Sequence, residues 1–150
     1  PIDLFGVGTK AGVSADAPWS DMAYKLVYFN GRPVMKFSAG KVSLPGAKQV
    51  FRTNDAGGKF DKDIISLEDE HLPGGLPVLE EVMMNGQRTG PAATIHEIRA
   101  RFQEDFAALE DRFKALSNPP RFPVSISSRL ERLTSDVREE ALGVNLSDSD

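Results

Sequence analysis

The sequence predicts a mixed fold, α/β at its start and α+β beyond, in which a terminal strand and glycine turn precede a β-meander and two C-terminal helices. Three observations carry this expectation. A short apolar strand, Ile2-Asp3-Leu4-Phe5, runs directly into Gly6-Val7-Gly8-Thr9. Two Asn-Gly dipeptides, at 30–31 and 85–86, lie between apolar runs in the middle of the chain. Beyond residue 90 the apolar positions recur at steps of three and four, the spacing that puts them on one face of a helix. The 150 residues thus divide into 1–21, 22–90 and 91–150.

The first region ends in a small-residue loop at Asp16-Ala17-Pro18. With no partner strand ahead of it, the strand at 2–5 is expected to be the end of something larger, or of a trimmed chain. In the second region, Tyr24–Phe29 and Arg32–Phe37 flank Asn30-Gly31, the strongest short signal for a type I′ hairpin. Val50–Thr53 and Phe60–Leu67 are joined by Asp55-Ala56-Gly57-Gly58, a plausible turn. Asn85-Gly86 closes a second expected hairpin, from Val78–Met84 to Gln87–Thr89.

In the third region Ile95, Ile98, Phe102, Phe106, Leu109, Phe113 and Leu116 form one apolar stripe. Thr94 and Glu97 have capping-box spacing at its start, and Asn118-Pro119-Pro120 ends it. A second helix is expected after Ser128, with Glu131 as box partner and Leu130, Leu133, Val137 and Leu142 turned inward. Gly143 suits its left-handed C-terminus. Both stripes read as core rather than as binding surface, and the Ser-Asp-Ser-Asp tail at 147–150 reads as frayed.

Composition narrows the function classes. The chain is 40% hydrophobic and 27% charged, within the range of globular proteins. Its net charge of −4 and pI near 5.2 give no general reason to expect nucleic acid or an anionic membrane as partner. Without cysteine there are no disulfides and no thiolate metal site. No apolar run approaches the roughly 20 residues of a membrane span, and a cytoplasmic location is the expectation.

Charge is unevenly placed. From Met22 to Asn54 there is no Asp or Glu, but there are Lys25, Arg32, Lys36, Lys41, Lys48 and Arg52. This local +6 leaves −10 for the remainder. Such segregation focuses a positive potential that favours an anionic ligand or an acidic partner. The plainer alternative is a solvated basic face pairing with the acidic helices. A two-residue loop at Asn30-Gly31 would put Lys25 directly opposite Lys36, with Val27 facing Val34. Opposed like charges are unfavourable unless an anion lies between them, so this register is that of a phosphate clamp. Lys48, Val50 and Arg52 share one strand face by alternation and could extend the basic surface.

Gly6-Val7-Gly8-Thr9 is a second anion candidate, because glycines let backbone amides approach a phosphate and Thr9 adds a hydroxyl. Alone the pattern is weak: it lacks the third glycine of a dinucleotide fingerprint and the lysine of a P-loop. His71 and His96 have no second histidine at ligand spacing, so no metal site is expected. Glu68-Asp69-Glu70 reads as a solvated loop, and Ser125, Ser127 and Ser128 as turn or cap residues. No catalytic residue is assigned.

Four blocks in order, Ile2–Thr9, Tyr24–Val27, Gly31–Ser38 and Pro45–Arg52, resemble the C-terminal third of nicotinate phosphoribosyltransferases, within the type II phosphoribosyltransferases. The Pro45-Gly46-Ala47-Lys48-Gln49-Val50-Phe51-Arg52 block is the most specific; looser similarity continues to about residue 140. The resemblance implies an enzyme that makes nicotinate mononucleotide and pyrophosphate from nicotinate and phosphoribosyl pyrophosphate in NAD salvage. It also implies ATP hydrolysis, Mg²⁺ and a homodimer. It implies a phosphoribosyltransferase α/β barrel, of which residues 1–21 would be the last strand and phosphate loop. Phosphate binding would then fall to Gly6, Gly8, Thr9, Lys25 and Lys36, with Lys48 and Arg52 as secondary candidates. The family's nicotinate-binding residues lie upstream, so this chain alone would be an inactive, incomplete fragment whose partner is the upstream barrel part. The rival reading is a non-enzymatic binding or regulatory module that docks an acidic partner on the basic hairpin.

Overall fold

The computed structural model describes Gly6, Gly8, residues 12–14 and residues 25–143. The expected strand at 2–5, Thr9, Tyr24 and the tail at 147–150 lie outside the described residues.

The centre of the fold is the pair expected on either side of the turn at 55–58, β3 (Lys48–Asn54) and β4 (Phe60–Leu67). They run antiparallel from Lys48↔Leu67 to Thr53↔Lys62, with an irregularity between Thr53 and Asn54. The connecting turn is organised by Asp55, whose carboxylate accepts the N–H groups of Gly57 at 2.8 Å and Lys59 at 2.9 Å. Before this pair comes a short hairpin, β1 (Tyr28–Phe29) and β2 (Arg32–Pro33). After it come β5 (Leu76–Pro77) and a second short hairpin, β6 (Met83–Met84) and β7 (Gln87–Arg88). Both Asn-Gly turns have positive φ at both residues, +49° and +80° at 30–31 and +49° and +77° at 85–86, as a type I′ turn requires. The second hairpin is much shorter than expected. Only 82–84 pair with 87–89, whereas the start of the expected strand lies along β3, where Val78 donates to the Val50 carbonyl at 2.9 Å.

A four-stranded sheet results, in the order β5-β3-β4-β8. Strand β8 (Val124–Ile126) runs parallel to β4 from Asp63↔Val124 to Ile65↔Ile126. This corrects the reading of Ser125 as a turn residue: it sits in the strand, opposite Ile64.

Two helices accompany the sheet. The first, α1 (Ile95–Ala108), begins at the expected capping box: Glu97 N–H donates to the Thr94 hydroxyl, and Thr94 N–H donates to the Glu97 carboxylate. It ends earlier than the stripe predicts. Leu109 is extended (φ −71°, ψ 138°), and a 3₁₀ turn follows at Asp111–Lys114. Tertiary contacts favour this break. Lys59 Nζ donates to the Ala107 carbonyl, one of the orphan acceptors of the last turn. Phe113 meets Phe122 edge-on, with centroids 5.2 Å apart. The stripe itself is not core: no residue of α1 is buried, and Ile95 and Phe102 are 73% and 63% exposed.

The second helix, α2 (Ser128–Leu142), does cover the sheet. Leu130 is fully buried and, with Phe51, makes the apolar centre. Gly46 has φ +77°, and a Cβ there would stand 3.2 Å from Leu67 and 3.4 Å from Leu133, so the close approach needs a glycine. The cap is Ser127, not Ser128; its hydroxyl accepts from Leu130 N–H at 3.2 Å and donates to Glu70 at 2.6 Å. Gly143 ends the helix at φ +70°, while Leu142 is 67% exposed. Glu68-Asp69-Glu70 is more than a solvated loop: Glu70 also accepts from Leu67 N–H at 2.8 Å, and Asp69 pairs with Arg129 at 2.7 Å. Among the described residues no helix is long and apolar enough to cross a membrane.

Candidate functional site

Of the six cations in the basic segment, three are satisfied within the chain. Arg32 reaches Glu140 of α2 at 3.2 Å, an exposed pair of the kind the plainer reading of the basic face anticipates. Lys48 turns its ammonium onto the carbonyls of Leu44, at 2.8 Å, and Gly46, and burial pushes its pKa down. Arg52 makes a two-bond fork to Asp63, 2.8 Å from each oxygen. Its guanidinium also lies over the rings of Phe60 and Phe122, at 4.6 and 5.6 Å. The hydrogen bond to Asp63 holds the Arg52 pKa above its usual value. The surface expected to run along Lys48 and Arg52 is therefore not an open row of cations, because both heads have intramolecular acceptors.

Lys25, Lys36 and Lys41 remain, with no carboxylate at ion-pair distance among the described residues. Lys25 and Lys36 come together, though not by the expected route. The ladder pairs Phe29 with Arg32 and Tyr28 with Pro33, and Val34 N–H still donates to the Val27 carbonyl at 3.0 Å. There it stops. Lys36 N–H donates to the Ser43 hydroxyl at 2.9 Å, and its carbonyl accepts from Ser43 N–H at 3.1 Å. The direct Lys25–Lys36 pairing is corrected in this sense. Pro33 supplies no ladder donor, and the turn closed by Lys41 N–H on the Ser38 carbonyl at 2.9 Å brings Ser43 back instead. Even so, both lysines line one hollow of about 400 Å³ with Leu26, Phe29, Val34 and Met35. Lys25 is half-buried and Lys36 exposed. Two lysines lining one largely apolar hollow bring positive charge to a place where an anion is less screened than in open water.

The glycine turn is only partly described. Gly6 and Gly8 are exposed, and no described atom lies within 4 Å of a Cβ built on either.

Comparison with known proteins bears on the family of the chain. The family model of the nicotinate phosphoribosyltransferase C-terminal domain matches residues 76–134. Nicotinate phosphoribosyltransferase pncB2 of Mycobacterium tuberculosis is 42% identical over 132 residues, 87% of this chain. The chain belongs to the nicotinate phosphoribosyltransferase family. The human nicotinate phosphoribosyltransferase is 26% identical over 91% of the chain. The crystal structure of human nicotinic acid phosphoribosyltransferase shares the fold, with a TM-score of 0.65 at 24% identity over 77% of this chain. The chain spans only 28% of the Mycobacterium relative and 30% of the human one.

Two features of this nicotinate phosphoribosyltransferase segment escaped the sequence reading. The apolar floor under the lysines, Leu26, Phe29, Val34 and Met35, draws on both faces of the predicted strands, which alternation alone would separate. A second hollow of about 430 Å³ is lined by Arg52, Asp63 and Asp105 with Phe60, Phe102, Phe106 and Phe122. The signal was present as phenylalanines at helical spacing, but the same spacing describes a core.

Proposed function

We propose that the protein carrying this chain is a nicotinate phosphoribosyltransferase, forming nicotinate mononucleotide and pyrophosphate from nicotinate and phosphoribosyl pyrophosphate with ATP hydrolysis. The observation that carries the reading is 42% identity to a nicotinate phosphoribosyltransferase across 87% of the chain. The docking-module alternative has no comparable support. In this proposal residues 1–21 complete an α/β barrel supplied by the upstream part of the same enzyme, which acts as a cytoplasmic homodimer.

The chain's share of the chemistry is electrostatic. Lys25 and Lys36 hold phosphate oxygens at the hollow beside the hairpin, while Gly6, Gly8 and Thr9 offer backbone amides and a hydroxyl to the ribose 5-phosphate. Fixed donors aimed at the departing pyrophosphate stabilise charge that grows as the bond breaks. Lys48 and Arg52 act indirectly, because their intramolecular bonds fix the turn at 44–46 and the β3–β4 pair. Mg²⁺ and ATP belong to the whole enzyme. No three acidic or imidazole groups converge among the described residues, so they offer no Mg²⁺ cage and no step here runs through the ion.

The test is kinetic, on the complete enzyme. Lys25→Ala and Lys36→Ala should each raise KM for phosphoribosyl pyrophosphate by about tenfold, the value of one charge-assisted bond, with an unchanged circular dichroism spectrum. Unchanged KM and kcat in both variants would remove the assignment.

A further inference from the structure

The hollow between α1 and the sheet has chemistry that the phosphate reading leaves unused. Its walls are Phe60 of β4, Phe102 and Phe106 of α1, and Phe122 before β8; its polar lining groups are Arg52, Asp63 and Asp105. Arg52 spends both its hydrogen bonds on Asp63 and also feels the Asp105 carboxylate, so one cation faces two carboxylates. Asp105 has no ion-pair partner among the described residues. The lining therefore keeps one negative charge, set among rings whose faces are themselves negative.

Such faces attract cations, and this chain already uses them that way. Arg52 lies over Phe60 and Phe122, and the Lys114 ammonium stands 5.1 Å from the Phe106 centroid. Phe102 is stacked on Phe106, with centroids 5.6 Å apart, and no cation covers it among the described residues. We infer that this hollow binds a small organic cation, a substituted ammonium with an apolar body, held against Phe102 with Asp105 as its counter-charge. An anion would meet net negative lining, and a neutral molecule could gain at most a hydrogen bond from Asp105, without the charge attraction.

The test uses the complete protein and two probes of nearly equal shape, choline and 3,3-dimethylbutan-1-ol, in which carbon replaces the charged nitrogen. Titration followed by the methyl resonances should show choline binding about tenfold more tightly, the size of a partly desolvated cation–π contact. Asp105→Asn and Phe102→Leu lie on a helix with no buried residue, so the fold should persist. Each should weaken choline about threefold or more while leaving the alcohol unaffected. Equal affinity for the two probes would make this an ordinary apolar surface and overturn the inference. So would absence of choline binding, which would mean that the rest of the protein or a second copy fills the space.

Discussion

Arg52 is the residue where expectation and geometry part most clearly. By alternation it belongs with Lys48 on a basic strand face. Across the strand, however, it meets Asp63 in register, and the guanidinium fork matches the carboxylate. Nothing in the local sequence announces this, because the partner sits eleven residues on, across a turn whose register depends on the irregularity at Thr53/Asn54. The pair is only partly exposed, 29% and 15% for the two side chains. Asp63→Ala should thus leave a half-buried cation facing two rings. We expect a loss of about 2 kcal/mol, at the low end for a buried pair because solvent still reaches it. Urea unfolding of Asp63→Ala against wild type checks this.

At the scale of elements, what was legible is what is local. The Asn30-Gly31 and Asn85-Gly86 turns, the Thr94–Glu97 box and the Gly143 terminus each depend on a few adjacent residues, and all four form. The parallel β4–β8 pairing and the early end of α1 were not legible. Each depends on contacts from distant positions, Pro123 and Val124 beside Asp63 and Lys59 beneath Ala107. Ser127 shows how such contacts carry load. It caps α2 and also binds Glu70, so Ser127→Ala should cost about 1–2 kcal/mol, read as a lower urea midpoint. At the start of α1, the Thr94 backbone N–H first, then its hydroxyl, hold the Glu97 carboxyl below its ordinary value near 4.5. A group with a depressed folded pKa contributes above its unfolded pKa and loses that contribution as pH falls through the folded one. Amide exchange at the first turn of α1 should therefore accelerate, relative to the base-corrected rate, as pH falls below the ordinary glutamate value and through the lowered folded one, and Glu97→Ala should abolish that pH dependence.

For the whole molecule, the organisation of charge matters more than its sum. A chain of net −4 keeps a cationic segment, and the fold then sorts that segment. Arg32, Lys48 and Arg52 are consumed by internal bonds, whereas Lys25 and Lys36 are left at one hollow without a carboxylate among the described residues. The sequence pattern could place the two lysines near each other but not predict which of the six would be spent, since that depends on where Glu140, Asp63 and the 44–46 carbonyls fall in space. The most direct measurement is calorimetric titration of phosphoribosyl pyrophosphate into the complete protein, wild type against the Lys25→Ala/Lys36→Ala double variant. Loss of both ammoniums should weaken binding about a hundredfold with an unchanged unfolding midpoint. Equal affinities in the two proteins would contradict the assignment of this hollow to phosphate.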